Sequence, residues 1–424
     1  MEASTIEAMP RLLLLSTITG YQAEMFRAAA ARAGAELTLA TDRCHVLEDP
    51  WRDGAIAVKF HDPEQSAEAI ATAARRQPIN GIVAIGDAPV ETAAVAATAL
   101  GLPFHLPEAA HAAHNKFLAR ERFRAAGLRV PWYQRFAADS DPALAVSAVP
   151  FPCVLKPLGL SASRGVIRAN NPDEFAAAFH RIHELLNSPE VRVLRDESAA
   201  WIQVESFIPG TEIAVEGILT RGELQVLAIF DKPDPLNGPF FEETIYVTPS
   251  RLTDEVQHSA LEGLRMGIAA LGLSHGPIHA ELRLSHDGPY VLEIAARPIG
   301  GLCAGALRFG SGMPLEELIV RHALGEDVSH LSRESRAAGV MMIPIPRGGI
   351  YEGVTGVEDA LTVRGVERVD ITAKLQQKLV PLPEGASYLG FIFARAETPE
   401  LVEQALRGAH DSLSFQIAAE IAVL

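Results

Sequence analysis

Short apolar runs alternate with amphipathic stretches over roughly the first hundred positions. Residues 11–16, Arg-Leu-Leu-Leu-Leu-Ser, read as a buried strand, and the Ala-rich helix that follows stops near Gly34. Further strands are expected at 36–40, 55–60 and 81–85, with a helix over about 63–76. Strands alternating with helices predict a parallel sheet covered on both faces. Ligands of such sheets sit beyond the carboxyl ends of the strands, which puts the 16–20 and 86–90 loops near a site. No Gly-x-Gly-x-x-Gly follows the first strand, which argues against a dinucleotide cofactor.

The pattern changes after residue 110. A polar amphipathic helix is expected over 111–130; it carries Asn115-Lys116, with Gly127 as a stop signal and Pro131 beyond it. Residues 150–156 form a short strand ending in Lys156, and Pro157-Leu-Gly-Leu-Ser-Ala-Ser-Arg-Gly-Val166 is a loop of small residues. A helix over 172–186 and strands at 201–205, 211–217 and 224–230 follow, so this middle unit reads as α+β. In the last hundred residues, strands at 340–345 and 387–394 precede a helix over 398–410 capped by Thr398. Nothing in this tail suggests chemistry, and no repeat is present.

Length and composition narrow the classes. A chain of 424 residues is too long for one ordinary core, so two or three domains are expected. Hydrophobic residues at 48% and charged residues at 21% suit a soluble globular enzyme. A net charge of −16 without a basic stripe excludes nucleic acid as a partner. Cys44, Cys153 and Cys303 are far apart, lack metal-type spacing and read as buried thiols of a reducing cytosol. The apolar run at 12–15 is too short for a membrane span and follows acidic Glu2 and Glu7, so no signal peptide or membrane association is expected. The expected location is cytoplasmic.

Chemistry concentrates in one hairpin. His279, Glu281 and Arg283 alternate with apolar residues and share a strand face; Ser285-His-Asp-Gly-Pro is the turn, and Glu293 lies on the return strand. Two acids on paired strands suit a hard cation such as Mg2+. Arg297 follows four residues after Glu293, just before Gly300-Gly301, an order suited to metal-bound phosphate. A solvated, charged hairpin accounts for the same residues equally well. Gly159, Ser161, Ser163 and Gly165 permit close backbone approach to phosphate oxygens, with Lys156 adding a point charge. No Gly-Lys-Ser/Thr closes this loop as in a Walker A motif, and a plain hairpin tip is commoner than a phosphate cradle. Glu205 and Glu212 flank the Phe207-Ile-Pro-Gly210 turn and suit an adenine amino group or ribose hydroxyls; by default such acids sit on a surface.

Lysine, small-residue loop, hinge acids, paired acids and arginine, in that order, resemble the ATP-grasp superfamily over nearly the whole chain. The resemblance implies a mixed α/β and α+β fold. Residues 1–110 would be an N-terminal parallel α/β domain and 111–325 an ATP-grasp domain whose lid spans roughly 125–210. Residues 326–424 would be a C-terminal α+β subdomain. It implies ATP and Mg2+ as cofactors, two ions being usual and Mn2+ an alternative. Lys116 and Lys156 would contact the nucleotide, Ser161, Ser163 and Gly165 the phosphates, Glu205 and the Ile208 backbone the adenine, and Glu212 the ribose. Glu281 and Glu293 would hold the metal, and Arg297 and Lys156 would be catalytic. The superfamily usually reads Glu-x-Asn-x-Arg where this chain reads Glu293-Ile-Ala-Ala-Arg297, so Ala295 cannot ligate.

The Glu-x-Ala-Ala-Arg version resembles the bacterial L-amino acid ligases, as do Asp231-Lys-Pro-Asp-Pro and Leu389-Gly-Phe-Ile-Phe-Ala-Arg395. That branch implies an ATP-dependent carboxylate–amine ligase working through an acyl phosphate, with small-molecule substrates such as amino acids. Many relatives are homodimers. Loops 159–165 and 231–246 would close as lids, Glu242 and Glu243 would meet a substrate ammonium, and His279 would contact substrate. Gly300 and Gly301 would leave room for a large substrate side chain. Two rivals share the nucleotide site: a biotin-carboxylase-like or purine-pathway carboxylase, and a non-catalytic ATP-sensing protein.

Overall fold

The computed structural model describes residues 9–17, 20–42 and 55–420. Cys44, Glu2, Glu7 and part of the 16–20 loop lie outside the described residues. The first sheet is parallel, in the order Ala55–Ala57, Glu36–Thr41, Arg11–Ser16, Gly81–Ile85. Leu12, Leu13, Leu14 and Leu15 are all fully buried, which is why this strand is apolar on both faces. The strand order reverses between Arg11–Ser16 and Gly81–Ile85, so the crevice at their carboxyl ends is the natural ligand position. Tyr21, Gln22, Gly86 and Asp87 stand there.

One expected helix proves to be two, Pro107–His114 and Lys116–Ala125. Asn115 takes an extended backbone (φ −96°, ψ 107°), and its side-chain oxygen accepts from the amides of Phe117 and Leu118. An Asn competes for backbone donors better than it propagates a helix, so it restarts the second helix as an N-cap. Lys116 thereby becomes a first-turn residue beside the cleft.

The lid carries an antiparallel sheet, Tyr133–Ala137, Trp201–Ser206, Cys153–Pro157 and Ile167–Ala169, covered by the helix Pro172–Leu186. Phe175, Phe179 and Ile182 on that helix are buried against Leu155, Ile202 and Val204. The largest sheet has eight strands, from Gly288–Ala295 and Gly276–Ser285 through Thr211–Thr220, Glu223–Asp231, Ile245–Thr248, Ala337–Ile343 and Gly390–Ala396 to Val366–Ile371. It runs straight across the expected 325/326 boundary. A helix that the apolar pattern did not reveal, Asp254–Leu271, starts at the Thr253 cap and ends at left-handed Gly272. Its Gly267 has no side chain because a Cβ there would stand 2.9 Å from Ile294 Cδ1.

The tail strand begins later than expected, at Gly390 rather than 387. Ser387 and Tyr388 therefore lie in the segment before it and face the central cavity. No helix among the described residues is long and apolar enough to cross a membrane.

Candidate active site

A cavity of about 600 Å³ opens between the N-terminal sheet, the lid and the large sheet. It is walled by Lys116, Lys156, Ser161, Ser163, Glu205, Ile208, Glu212, Glu243, His279, Glu281, Glu293, Arg297, Gly300 and Gly301. Side chains scattered over nearly two hundred positions converge there.

The lid side is built around Lys156. This lysine stands last but one in its strand, opposite Gln203, and its ammonium meets Glu205 at 2.6 Å. Arg120 Nε donates to the same carboxylate at 2.7 Å and Nη2 at 3.4 Å, and Gln203 Nε2 adds a third donor residue at 2.6 Å. A carboxylate offers about four lone-pair positions, so Glu205 is saturated. Burial would raise its pKa, but Arg120 and Lys156 outweigh that and hold it down at about 2. The expectation that the Glu205 side chain accepts from adenine is corrected on this ground: its oxygens are committed to orienting Lys156. Burial lowers the pKa of Lys156, and Glu205 offsets this only in part. The Ile208 amide, by contrast, has no protein acceptor among the described residues and stands open to a base.

The loop after Lys156 behaves partly as expected. Ala162 and Ser163 both adopt positive φ (56° and 55°), and the amides of Ser161, Ala162 and Ser163 have no protein acceptor among the described residues. Such a nest of free donors fits phosphate oxygens. Lys116 Nζ donates to Leu160 O at 2.8 Å, tying the nest to the first helical turn beside it. Gly165 is another correction. Its amide is spent on Pro383 O at 2.7 Å, and it does not wall the cavity. A glycine is needed there for packing: φ is +73°, and a Cβ would lie 2.8 Å from Pro157 Cγ.

The hairpin side carries the opposite charge. Glu281 and Glu293 are direct register partners in the antiparallel pair, so both carboxylates project from one face. Glu293 meets Lys116 at 3.5 Å, whereas Glu281 turns toward Glu212 and Glu243. One oxygen from each of those three acids lies within 4.8 Å of the other two. Lys232 Nζ sits among them, 2.7 Å from Glu212 and 3.2 Å from Glu281, and also paired with Glu243. Burial would lower its pKa, but the three carboxylates raise it well above normal. Glu243 is pushed up to about 7 by burial and by Glu281 and Glu212, despite Lys232. One lysine among three carboxylates leaves this cluster with surplus negative charge, and all three acids offer hard oxygens. This set fits a divalent cation such as Mg2+.

Second-layer contacts fix this end. His279 Nδ1 bonds Glu216 at 2.9 Å, with Nε2 3.7 Å from Glu281. Burial would lower its pKa, but Glu216 and Glu281 raise it to about 9, so it stands as a cation behind the acidic cluster. Its ring is committed to those acids. Glu216, fully buried, also accepts from the Ile299 amide at 2.8 Å and so places the segment leading to Gly300. Arg297 grips Asp87 with two bonds, Nε–Oδ1 at 2.8 Å and Nη2–Oδ2 at 3.1 Å. Burial would raise the Asp87 pKa, yet Arg297 holds it well below the usual range. Glu242 does not wall the cavity, so only Glu243 of that pair faces it. The backbone of Gly300 faces open space, while a Cβ on Gly301 would meet the Phe391 ring at 3.1 Å.

Sequence reasoning missed Lys232, Asp87, Glu216 and the Tyr388 region. Lys232 stands just past the end of its strand, as Lys156 stands near the end of its own, and that parallel was the available signal. Asp87 belongs to the 86–90 loop that the strand pattern puts near a site, but nothing local marks it as the partner of Arg297. Nothing local marks Glu216, one of many alternating strand positions.

Comparison with known proteins matches this architecture in three pieces. An ATP-grasp N-terminal domain matches residues 26–104, an ATP-grasp domain 149–306, and the L-amino acid ligase C-terminal domain 2 residues 341–418. The chain is 27% identical over 271 residues to the alanine–anticapsin ligase of Bacillus subtilis (strain 168), covering 61% of this chain and 56% of that one. A D-alanine–D-alanine ligase of Geotalea uraniireducens is 30% identical over 253 residues, covering 57% and 72%. The crystal structure of L-amino acid ligase from Bacillus licheniformis superposes with a TM-score of 0.81 at 25% identity, covering 96% and 99%. The chain spans 64% and 56% of the first two curated relatives it matches. With the pre-lid sheet, the lid, the acidic hairpin and the tail domain all matched in order, the chain belongs to the ATP-grasp superfamily, in its L-amino acid ligase branch.

Proposed function

We propose that this protein joins a carboxylate to an amine at the expense of ATP, forming an amide, most simply a dipeptide, and releasing ADP and phosphate. The carrying observation is the charge polarity of one cavity: Lys116, Lys156 and free loop amides at one end, an over-acidic cluster around Lys232 at the other. That polarity suits a metal-bound triphosphate lying along it.

A free carboxylate is a poor acylating agent, because its oxide leaves badly and its charge repels nucleophiles. Its oxygen attacks the γ-phosphorus, ADP leaves, and an acyl phosphate remains. The amine attacks the acyl carbon, loses a proton, and expels inorganic phosphate. Phosphoryl transfer needs chiefly positioning and charge neutralisation, which Lys116, Lys156 and the 161–163 amides supply on the phosphate side. Glu212, Glu243 and Glu281, with Glu293 beside them, would hold Mg2+, which when bound shields phosphate oxygens from the incoming carboxylate. His279 and Glu216 keep Glu281 aimed. Arg297, held by Asp87 at the junction with the N-terminal sheet, neutralises the phosphate or developing oxyanion.

Glu243, which walls the cavity, would also meet a substrate ammonium. The open space at Gly300 supports a fairly large donor side chain. The loops 159–165 and 231–246 keep water from the acyl phosphate. The free, buried thiols of Cys153 and Cys303 fit a reducing cytoplasm. A matrix of amino acids offered pairwise with Mg-ATP, scored by phosphate release and product mass, tests the reading. Phosphate release tied to a product of condensed mass supports it; ATP binding with no phosphate released by any pair contradicts it. Acceptance of glycine and alanine alone as donors would defeat the large pocket.

A further inference from the structure

The charged groups that wall the cavity come from residues up to Arg297, whereas the tail supplies uncharged ones: Met342, Thr372, Gln377, Ser387, Tyr388 and Phe391. The C-terminal subdomain thus adds an uncharged, partly aromatic wall to a cavity whose charges come from the rest of the chain, Glu243 among them within electrostatic reach of Tyr388. Tyr388 and Phe391 meet edge to face, 6.1 Å between centroids, and Phe391 backs Gly301. Phe391 is buried, whereas Tyr388 is only partly so and lines the cavity.

The segment that carries Tyr388 is pinned twice. Leu389 N donates to Ile343 O at 2.9 Å, and Gly385 N to Pro381 O at 2.9 Å, which fixes its shape within the tail. Between these points it is held by the lid. Gly165 N donates to Pro383 O at 2.7 Å, Arg164 Nε to Glu384 O at 2.7 Å, and Arg181 grips the Glu384 carboxylate with two bonds, one of them 2.9 Å. Arg164 and Gly165 belong to the loop whose neighbouring amides face the phosphate end. The same few residues therefore touch the lid on one side and the neutral pocket on the other.

We propose that residues 383–388 act as a specificity strap: Tyr388 closes the neutral end of the cavity on an uncharged, branched or ring-sized amino-acid side chain, and Glu384, held by the lid arginines, is a positioning residue that sets where that ring stands. This rests on the ligase reading and names the substrate class of that same site. The tail residues offer a charged side chain no ion-pair partner, and Glu243, whose charge reaches Tyr388, is already held by Lys232. Shape rather than hydrogen bonding then sorts the donors, and a contact of one ring is worth about tenfold in selectivity.

Steady-state kinetics over a donor panel from alanine to tryptophan tests this with Y388A, Y388F, Y388W and E384Q. Y388A is expected to raise KM about tenfold for the preferred donor and to admit bulkier ones, with the KM for ATP within about twofold. Y388F recovers most of that loss, and Y388W excludes the largest donors. E384Q raises the same donor KM about threefold to tenfold, and the exchanged pair R181E/E384R restores it. An unchanged size profile in both Y388A and Y388W overturns the strap, as does an effect confined to ATP. Where Y388A fails to fold, Y388W carries the test alone. Should no amino-acid pair release phosphate, the ligase reading fails first. Calorimetric binding of the same panel to wild type and Y388W with an ATP analogue then decides: a shifted size profile supports the strap, an identical one ends it.

Discussion

Two lysines, Lys156 in the cavity wall and Lys232 buried among the acids that line it, have opposite surroundings. Lys156 shares one carboxylate with Arg120, and burial lowers its pKa. Lys232 stands among three carboxylates, which raise its pKa well above normal. In the first network the Glu205 carboxylate is fully engaged by Lys156, Arg120 and Gln203; the second carries surplus negative charge, relieved in part by pushing Glu243 up to about 7. Under the proposed reading, a cation would offset the surplus charge of the acidic end, and the free amides of residues 161–163 beside Lys116 would meet an anion. Metal and triphosphate together are such a pair.

The sharpest way to break this contrast is at the acidic end. Glu281→Ala is expected to reduce turnover by about a thousandfold or more while the thermal midpoint stays within a few degrees, because Glu281 is partly open and its partners keep other carboxylates, Lys232 having Glu212 and Glu243 and His279 having Glu216. Retained turnover, measured as coupled ADP release, contradicts the assignment. Next is the grip on Arg297. Asp87→Asn keeps shape but removes the charge, and about a hundredfold loss in kcat with little change in the KM for ATP is expected.

The third test sharpens the cationic end. Glu205→Gln deprives Lys156 of its counter-charge, so its pKa falls further and its positive charge is lost at a lower pH. The kcat/KM for ATP should drop about tenfold at alkaline pH and less below neutrality, moving the alkaline limb of the profile downward. An unmoved limb means that Lys156 does not serve the nucleotide.

The smallest effect lies outside the contrast, at His105. Burial, aided by neighbouring His275, pushes its pKa down to about 3, and its Nδ1 accepts from the Ser274 and His275 amides. An unfolded histidine takes a proton near pH 6.5, which the fold refuses. Stability therefore falls as pH drops below about 6.5, by about 1.4 kcal/mol per unit for this group. His105→Asn, whose Oδ1 can replace Nδ1, should flatten the loss between pH 6.5 and 5 by about 2 kcal/mol in denaturant titrations, leaving turnover alone. His322, also lowered (to about 4), keeps part of the slope in the variant.

Much of this was legible along the chain where chemistry is local. The apolar run at 11–16, the Thr398 cap and the alternation of His279, Glu281 and Arg283 each appear where period and propensity put them. Asn115 split a helix because a capping side chain outcompetes continuation, a contest that periodicity does not register. What stayed hidden was contact between distant segments. Asp87 and Arg297 are 210 positions apart, and no pattern in either neighbourhood announces the pair. Glu205 looks like a ligand acid until Arg120 and Gln203 are seen to occupy it. The tail carried no chemical signal because its contribution is neutral: Tyr388 matters through where the lid holds it.

The most direct measurement follows oxygen. With the donor acid labelled at both carboxylate oxygens with ¹⁸O, the amino-acid pair that releases phosphate fastest is turned over with unlabelled Mg-ATP. If the carboxylate attacks the γ-phosphorus and the amine then displaces the phosphate, each inorganic phosphate released must carry one heavy oxygen, with the other kept in the amide carbonyl. Phosphate free of label, or labelled only when the water is, contradicts the acyl phosphate and with it the meaning given to the two ends of the cavity.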